Sequence, residues 1–127
     1  VFDLETTSLD YMNAQIVGWV FLVDKDSFYV PVAHDYLDAP KQLNFAGVLE
    51  KLRPILENSA IHKIGQNLKY DTHILANYDL ALKGISDDTM VKSYCLNSVA
   101  TRHNMDDLAQ HYLNYQTIHF ADVAGKG

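Results

Sequence analysis

The stretch Ile16-Val17-Gly18-Trp19-Val20-Phe21-Leu22-Val23, followed by Asp24-Lys25-Asp26 and then Phe28-Tyr29-Val30-Pro31-Val32-Ala33, decides how this chain folds. Both runs are rich in β-branched and aromatic residues, and the polar triplet between them is turn chemistry, so they read as an antiparallel hairpin. Upstream, Val1 to Glu5 reads as a short apolar and acidic strand, and Thr6 to Asn13 is rich in turn formers. Downstream, a polar loop with Pro40 leads to Asn44, a helix N-cap, after which Phe45, Val48, Leu49, Leu52, Ile55 and Leu56 recur at helical spacing. Pro54 is predicted to kink or split that helix. A strand over Ala60 to Ile64, a helix over Leu68 to Tyr78, a short strand near Ile85, a helix opening after Asp88 and another over Met105 to Leu113 complete the order. Leading antiparallel strands followed by alternation predict an α/β fold with a mixed five-stranded sheet flanked by helices on both faces.

The length of 127 residues suits one domain, and the ordinary 48% hydrophobic content excludes a disordered or collagen-like chain. No apolar run reaches the roughly 18 residues of a membrane span and no leader peptide is evident, so a soluble, cytoplasmic protein without membrane association is expected. Cys95 is alone and lies in an apolar stretch, which predicts a buried thiol. Val1 already reads as strand and Ala124-Gly125-Lys126-Gly127 closes no element, so a piece of a longer polypeptide is expected. The formal charge of −6 repels nucleic acid over the molecule as a whole. If phosphate is bound, the attraction has to be local.

Three carboxylates meet that requirement. On a strand, residues two apart share a face, so Asp3 and Glu5 point together while Phe2 and Leu4 point the other way. On a helix laid out at about 100° per residue, Leu68, Ile74, Leu75 and Tyr78 fall in one apolar stripe with Asp71 in its middle. An ionised carboxylate there has to be neutralised, paired with a cation or bound to a metal. Lys69 and His73 lie on other faces of the helix, so a local ion pair is not expected. A solvent-facing strand edge for Asp3 and Glu5, and a hydrogen-bonded structural Asp71, are the alternatives. Taken together, an all-oxygen set suits a hard ion such as Mg²⁺ or Mn²⁺, and two such ions would serve metal-dependent phosphodiester hydrolysis.

Phe2-Asp3-Leu4-Glu5-Thr6-Thr7-Ser8-Leu9-Asp10 resembles the first motif of the DEDD-type 3′-to-5′ exonucleases, and Gly65-Gln66-Asn67-Leu68-Lys69-Tyr70-Asp71 resembles the second. Pro31 to Pro40, Ile74-Leu75-Ala76-Asn77-Tyr78 and the closing Ala-Gly-Lys-Gly are similar to the proofreading domains of bacterial polymerase I enzymes (family A) in particular. The resemblance implies a ribonuclease H-like fold, two divalent metal ions, a single-stranded DNA 3′ end as substrate and an adjoining polymerase domain. It implies that Asp3, Glu5 and Asp71 are the catalytic metal ligands. Thr6 and Leu9 would contact the terminal nucleotide, Gln66, Asn67 and Tyr70 would line the single-strand path, Arg102 would meet phosphate and Phe120 would stack on a base.

The family's third motif, a Tyr separated by three residues from its final Asp, is not found. Tyr112 meets Gln116 at that offset and Tyr115 meets His119, while His103 with Asp107 falls one residue short of the histidine variant. Residues 1–127 are therefore expected to be a partial exonuclease domain without the last helix, impaired when isolated. A catalytically silent domain supporting a polymerase, or an RNA-processing exonuclease of the same superfamily, are the competing readings. Asp87 and Asp88 are assigned to capping the helix that follows them and the six His show no zinc spacing; Lys63, Lys69, Lys83 and Lys92 either touch a phosphate backbone or solvate the surface, with solvation favoured for most.

Overall fold

The computed structural model describes residues 1–118 and Asp122. Its elements come in the predicted order: β1 (Phe2–Thr6), β2 (Ile16–Val23), β3 (Asp26–Pro31), α1 (Phe45–Leu56), β4 (Lys63–Gly65), α2 (Leu68–Ala76), β5 (Ile85–Asp88), α3 (Thr89–Leu96) and α4 (Met105–Leu113). They fall into two compact units, Val1–Asp88 and the segment from Thr89 on.

In the first unit β2 and β3 form the expected hairpin, with Val23 paired to Asp26 and Asp24 in the left-handed region at φ 54°. The strands do not join into the single five-stranded sheet that the sequence predicts. Among the described residues β1-β2-β3 make one antiparallel sheet, and β4 and β5 make a separate parallel pair.

The reason lies on the outer edge of β1. Val1 and Leu22 exchange backbone bonds of 2.6 and 3.1 Å, so the alternation of an antiparallel ladder turns Asp3 and Glu5 toward β2 and the peptide groups of Phe2 and Leu4 toward the opposite edge. There the Leu4 N–H donates to Asp71 Oδ1 at 3.1 Å instead of to a strand. β4, three residues long, comes alongside at Gly65, where an added Cβ would lie 2.7 Å from the Phe2 carbonyl oxygen. A side chain thus takes the donor that a fourth ladder would have used.

Register sorts the first sheet's faces. Phe2 opposes Phe21, and Leu4 opposes Trp19, which opposes Val30; this apolar face joins the core. Asp3 opposes Val20 and Glu5 opposes Gly18 on the other face. Helix α2 brings Leu68, Ile74 and Leu75 to the core, and α1 brings Leu56. Asn44 caps α1 by accepting from the Gly47 N–H at 3.0 Å. Pro54 does not split α1: it sits in the last turn, where only the Glu50 carbonyl is deprived of its helical donor.

In the second unit α3 buries Ser93 and α4 buries no residue. Cys95 is exposed, contrary to the expectation of burial, because it lies off the side of α3 that Ser93 turns inward. His103, 2% exposed, is held by Ser93 Oγ at 2.8 Å from Nδ1 and by the Ser98 carbonyl at 3.0 Å from Nε2. Asp107 closes a capping pair with Asn104, its N–H reaching Asn104 Oδ1 at 2.8 Å and its Oδ2 accepting from Asn104 Nδ2 at 3.1 Å. Both residues have structural partners. No described helix is long and apolar enough to cross a membrane.

Candidate functional site

Alternation along β1 places Asp3, half-buried, and Glu5, exposed, on the face turned away from the core. Helical periodicity places Asp71 among Leu68, Ile74 and Leu75, 2% exposed, and carries its carboxylate to the edge of β1, where Oδ1 accepts from Leu4. The peptide N–H that Asp71 holds therefore lies between the two residues that carry the other carboxylates.

Electrostatics register the crowding. Burial first, and then the charge of Glu5, push the Asp3 carboxyl up to about 6 against the opposing pull of the Leu4 N–H. Burial, followed by the charge of Asp3, pushes Asp71 up to about 7; its own N–H and that of Leu4 pull it down, and Asp88 adds a smaller upward push. Among the described residues no Lys, Arg or His forms an ion pair with any of the three.

The donor set is all oxygen, and the crowded acids would be relieved by a hard divalent cation, so the residues fit such an ion. The three carboxylates do not close into a ready cage. Among the described residues no three His, Cys, Asp or Glu side chains are gathered tightly enough to hold an ion. Asp71 already gives Oδ1 to a backbone N–H, and Glu5 extends into solvent.

Of the other predicted residues, Thr6 and Tyr70 are brought together. Their hydroxyl oxygens lie 2.6 Å apart, and the Tyr70 hydroxyl also donates to the Ser8 carbonyl, so α2 pins the loop that leaves β1. That loop presents Leu9 at 92% exposure. Gln66 and Asn67 form the short link between β4 and α2, with Asn67 in the left-handed region at φ 58°. Arg102, in the second unit, is exposed and lies 4.0 Å from Asp107 Oδ2. Phe120 lies outside the described residues.

Asp88 and Lys63 have partners that the sequence does not indicate. Asp88 directs its carboxylate to α2: Oδ1 accepts from the Asn67 N–H at 3.1 Å and Oδ2 from the Leu68 N–H at 2.7 Å. A bond spanning twenty residues leaves no periodic trace in the sequence. Lys63 is 4% exposed, its ammonium donates to the Asn58 carbonyl at 2.7 Å, and burial lowers its pKa. The available signal was alternation, since Lys63 shares a strand face with the buried Gly65 while Ile64 between them faces out.

Comparison with known proteins adds the family. A 3′-5′ exonuclease family model matches residues 1–127. The chain is 50% identical to DNA polymerase I of Pseudomonas aeruginosa and 35% identical to DNA polymerase I of Rhizobium leguminosarum, covering 99% of this chain and 14% of the relative in each case. It therefore spans about a seventh of the length of these relatives. A solved structure described as the POL domain of Pol1 from M. smegmatis in complex with DNA primer-template and dNTP superposes with a TM-score of 0.73 at 20% identity. The match covers 91% of this chain and 19% of that one, and it supports the α/β, ribonuclease H-like architecture. With its whole length matched and half its residues shared with one polymerase I, the chain belongs to the 3′-5′ exonuclease family in the form carried by DNA polymerase I.

Proposed function

We propose that this chain serves as the proofreading unit of a polymerase I-type protein, hydrolysing the phosphodiester bond at a single-stranded DNA 3′ end with two Mg²⁺ or Mn²⁺ ions. The observation that carries the reading is the buried Asp71 carboxylate seated on the N–H of Leu4, the strand residue between Asp3 and Glu5 in sequence. Burying these carboxylates and setting them near like charge is costly to a merely structural domain, and burial first, then the neighbouring charge, raises the pKa values of Asp3 and Asp71.

When bound, the ions supply phosphate attraction that the acidic surface lacks and stabilise charge on the leaving oxygen. Asp3, Glu5 and Asp71 are the ligands. Asp71 is held by the backbone, whereas Glu5 has the exposure to swing inward. Thr6 and Tyr70 fix the loop on which Leu9 stands free to press against the last base, and Gln66 and Asn67 border the strand's path. Arg102 contacts phosphate, and Phe120 supplies a sequence-tolerant stacking face.

Calorimetric titration with Mn²⁺ tests the site. Wild-type chain is expected to bind, and Asp71→Ala to bind at least tenfold more weakly; identical isotherms would refute the assignment. Trimming of 5′-labelled single-stranded DNA from its 3′ end by a polymerase carrying this domain, abolished by Asp3→Ala, tests the reaction.

A further inference from the structure

We propose that Asp88 is a positioning residue for this site: its carboxylate fixes the start of α2 and thereby seats Asp71 against β1. The inference rests on the proposed role of Asp71 but makes a separate structural claim.

The start of α2 needs such a device. Its first backbone N–H groups have no partner within the helix, and the N-cap Asn67, in the left-handed region, makes no side-chain cap. Asp88 satisfies two of these donors at once, Asn67 and Leu68, at 3.1 and 2.7 Å. It does so from the last residue of β5, directly paired with Gly65 at the end of β4. The parallel pair and the helix are thus tied at one point. The chain between them, Gln66 and Asn67, has little length in which to absorb a shift.

From that point the geometry runs to the site in one turn. Asp71 lies three residues beyond Leu68, and its Oδ1 has to meet an N–H on a different sheet, that of Leu4. Gly65 permits the approach, because a Cβ there would meet both Leu68 Cδ2 at 2.5 Å and the Phe2 carbonyl oxygen at 2.7 Å. Asp88 and Gly65 therefore set α2 against β1 from two sides. An anion at a helix start is favoured by the helix dipole, and a carboxylate accepting two N–H groups does so with charge-assisted strength. The same charge reaches Asp71, so Asp88 contributes to the field in which a cation would sit.

The test is amide hydrogen exchange on the ¹⁵N-labelled 127-residue chain, together with Mn²⁺ binding followed by electron paramagnetic resonance. In Asp88→Asn, which preserves size and one acceptor, exchange at Leu4, Asn67 and Leu68 is expected to accelerate about tenfold relative to Trp19 and Phe21, and the Mn²⁺ dissociation constant to rise about tenfold. Asp88→Ala should exaggerate both; if it fails to fold, the Asn variant carries the reading. Uniform acceleration at all five amides would reduce Asp88 to a general stabiliser and overturn the proposal, as would unchanged exchange at Leu4. Loosening of Leu4 with unaltered Mn²⁺ affinity would overturn the link to the site. A wild-type chain that binds no Mn²⁺ would count against the proposed function, while the exchange at Leu4 would still decide the positioning role.

Discussion

Replacing Asp71 by Asn should stabilise the protein in alkaline solution and remove its affinity for metal. The Asp71 carboxyl is pushed from 3.8 to about 7, mainly by burial and then by Asp3. In the unfolded chain it loses its proton near 3.8, whereas the folded chain holds that proton until about 7. Between these values the native state binds more protons than the unfolded state, so stability falls as pH rises through the window and levels off above it. A difference of about three pKa units at about 1.4 kcal/mol each sets an upper figure of about 4 kcal/mol. Asn preserves an acceptor for the Leu4 N–H, now at 3.1 Å from Oδ1, and carries no charge to desolvate. The variant should match wild type near pH 4 and exceed it at pH 8 by up to about 4 kcal/mol. Urea unfolding followed through the fluorescence of Trp19, the single tryptophan and fully buried, measures the difference. Mg²⁺ should raise the wild-type midpoint at pH 8 and leave the variant's unchanged. A variant less stable than wild type at pH 8, or two pH profiles that run parallel, would refute the electrostatic account.

Other substitutions test the surrounding architecture. Gly65→Ala forces a methyl to within 2.5 Å of Leu68 Cδ2 and 2.7 Å of the Phe2 carbonyl oxygen, with an expected loss of about 1–3 kcal/mol in urea unfolding and weaker Mn²⁺ binding. Leu75→Ala, at a position with no exposed surface, should cost about 2–5 kcal/mol in the same assay. Tyr70→Phe removes the hydroxyl that joins Thr6 to the Ser8 carbonyl; the expected result is a several-fold higher KM for single-stranded DNA in the polymerase carrying the domain, with a stability loss near 1 kcal/mol. Asn104→Ala should cost about 1 kcal/mol by uncapping α4, seen as a lower midpoint in thermal unfolding.

Features that depend on neighbours along the chain were legible before any folding was considered. The hairpin of β2 and β3 was legible because β-branched runs flank a polar turn, and α4 because its apolar residues keep helical spacing. Asp71 stood out for the same reason: the stripe that buries Leu68, Ile74 and Leu75 has one direction, and a carboxylate on it must be buried as well. Alternation likewise gave Asp3 and Glu5 a common face. The family resemblance added roles for Thr6, Leu9, Gln66, Asn67, Tyr70, Arg102 and Phe120 that periodicity alone leaves open.

Features that cross between elements became visible only in the folded chain. No local pattern says that the Leu4 N–H goes to Asp71, 67 residues away, yet that bond separates a three-stranded sheet from a parallel pair where five joined strands were expected. Asp88 reads from the sequence as a cap for the helix next to it; folding also gives it the Asn67 and Leu68 N–H groups twenty residues earlier, because β5 pairs with β4 and ends beside the start of α2. Lys63 reads as a surface charge until folding brings the Asn58 carbonyl to its ammonium. Side-chain periodicity is a property of one strand or helix, whereas a hydrogen bond between distant segments depends on how several elements pack at once.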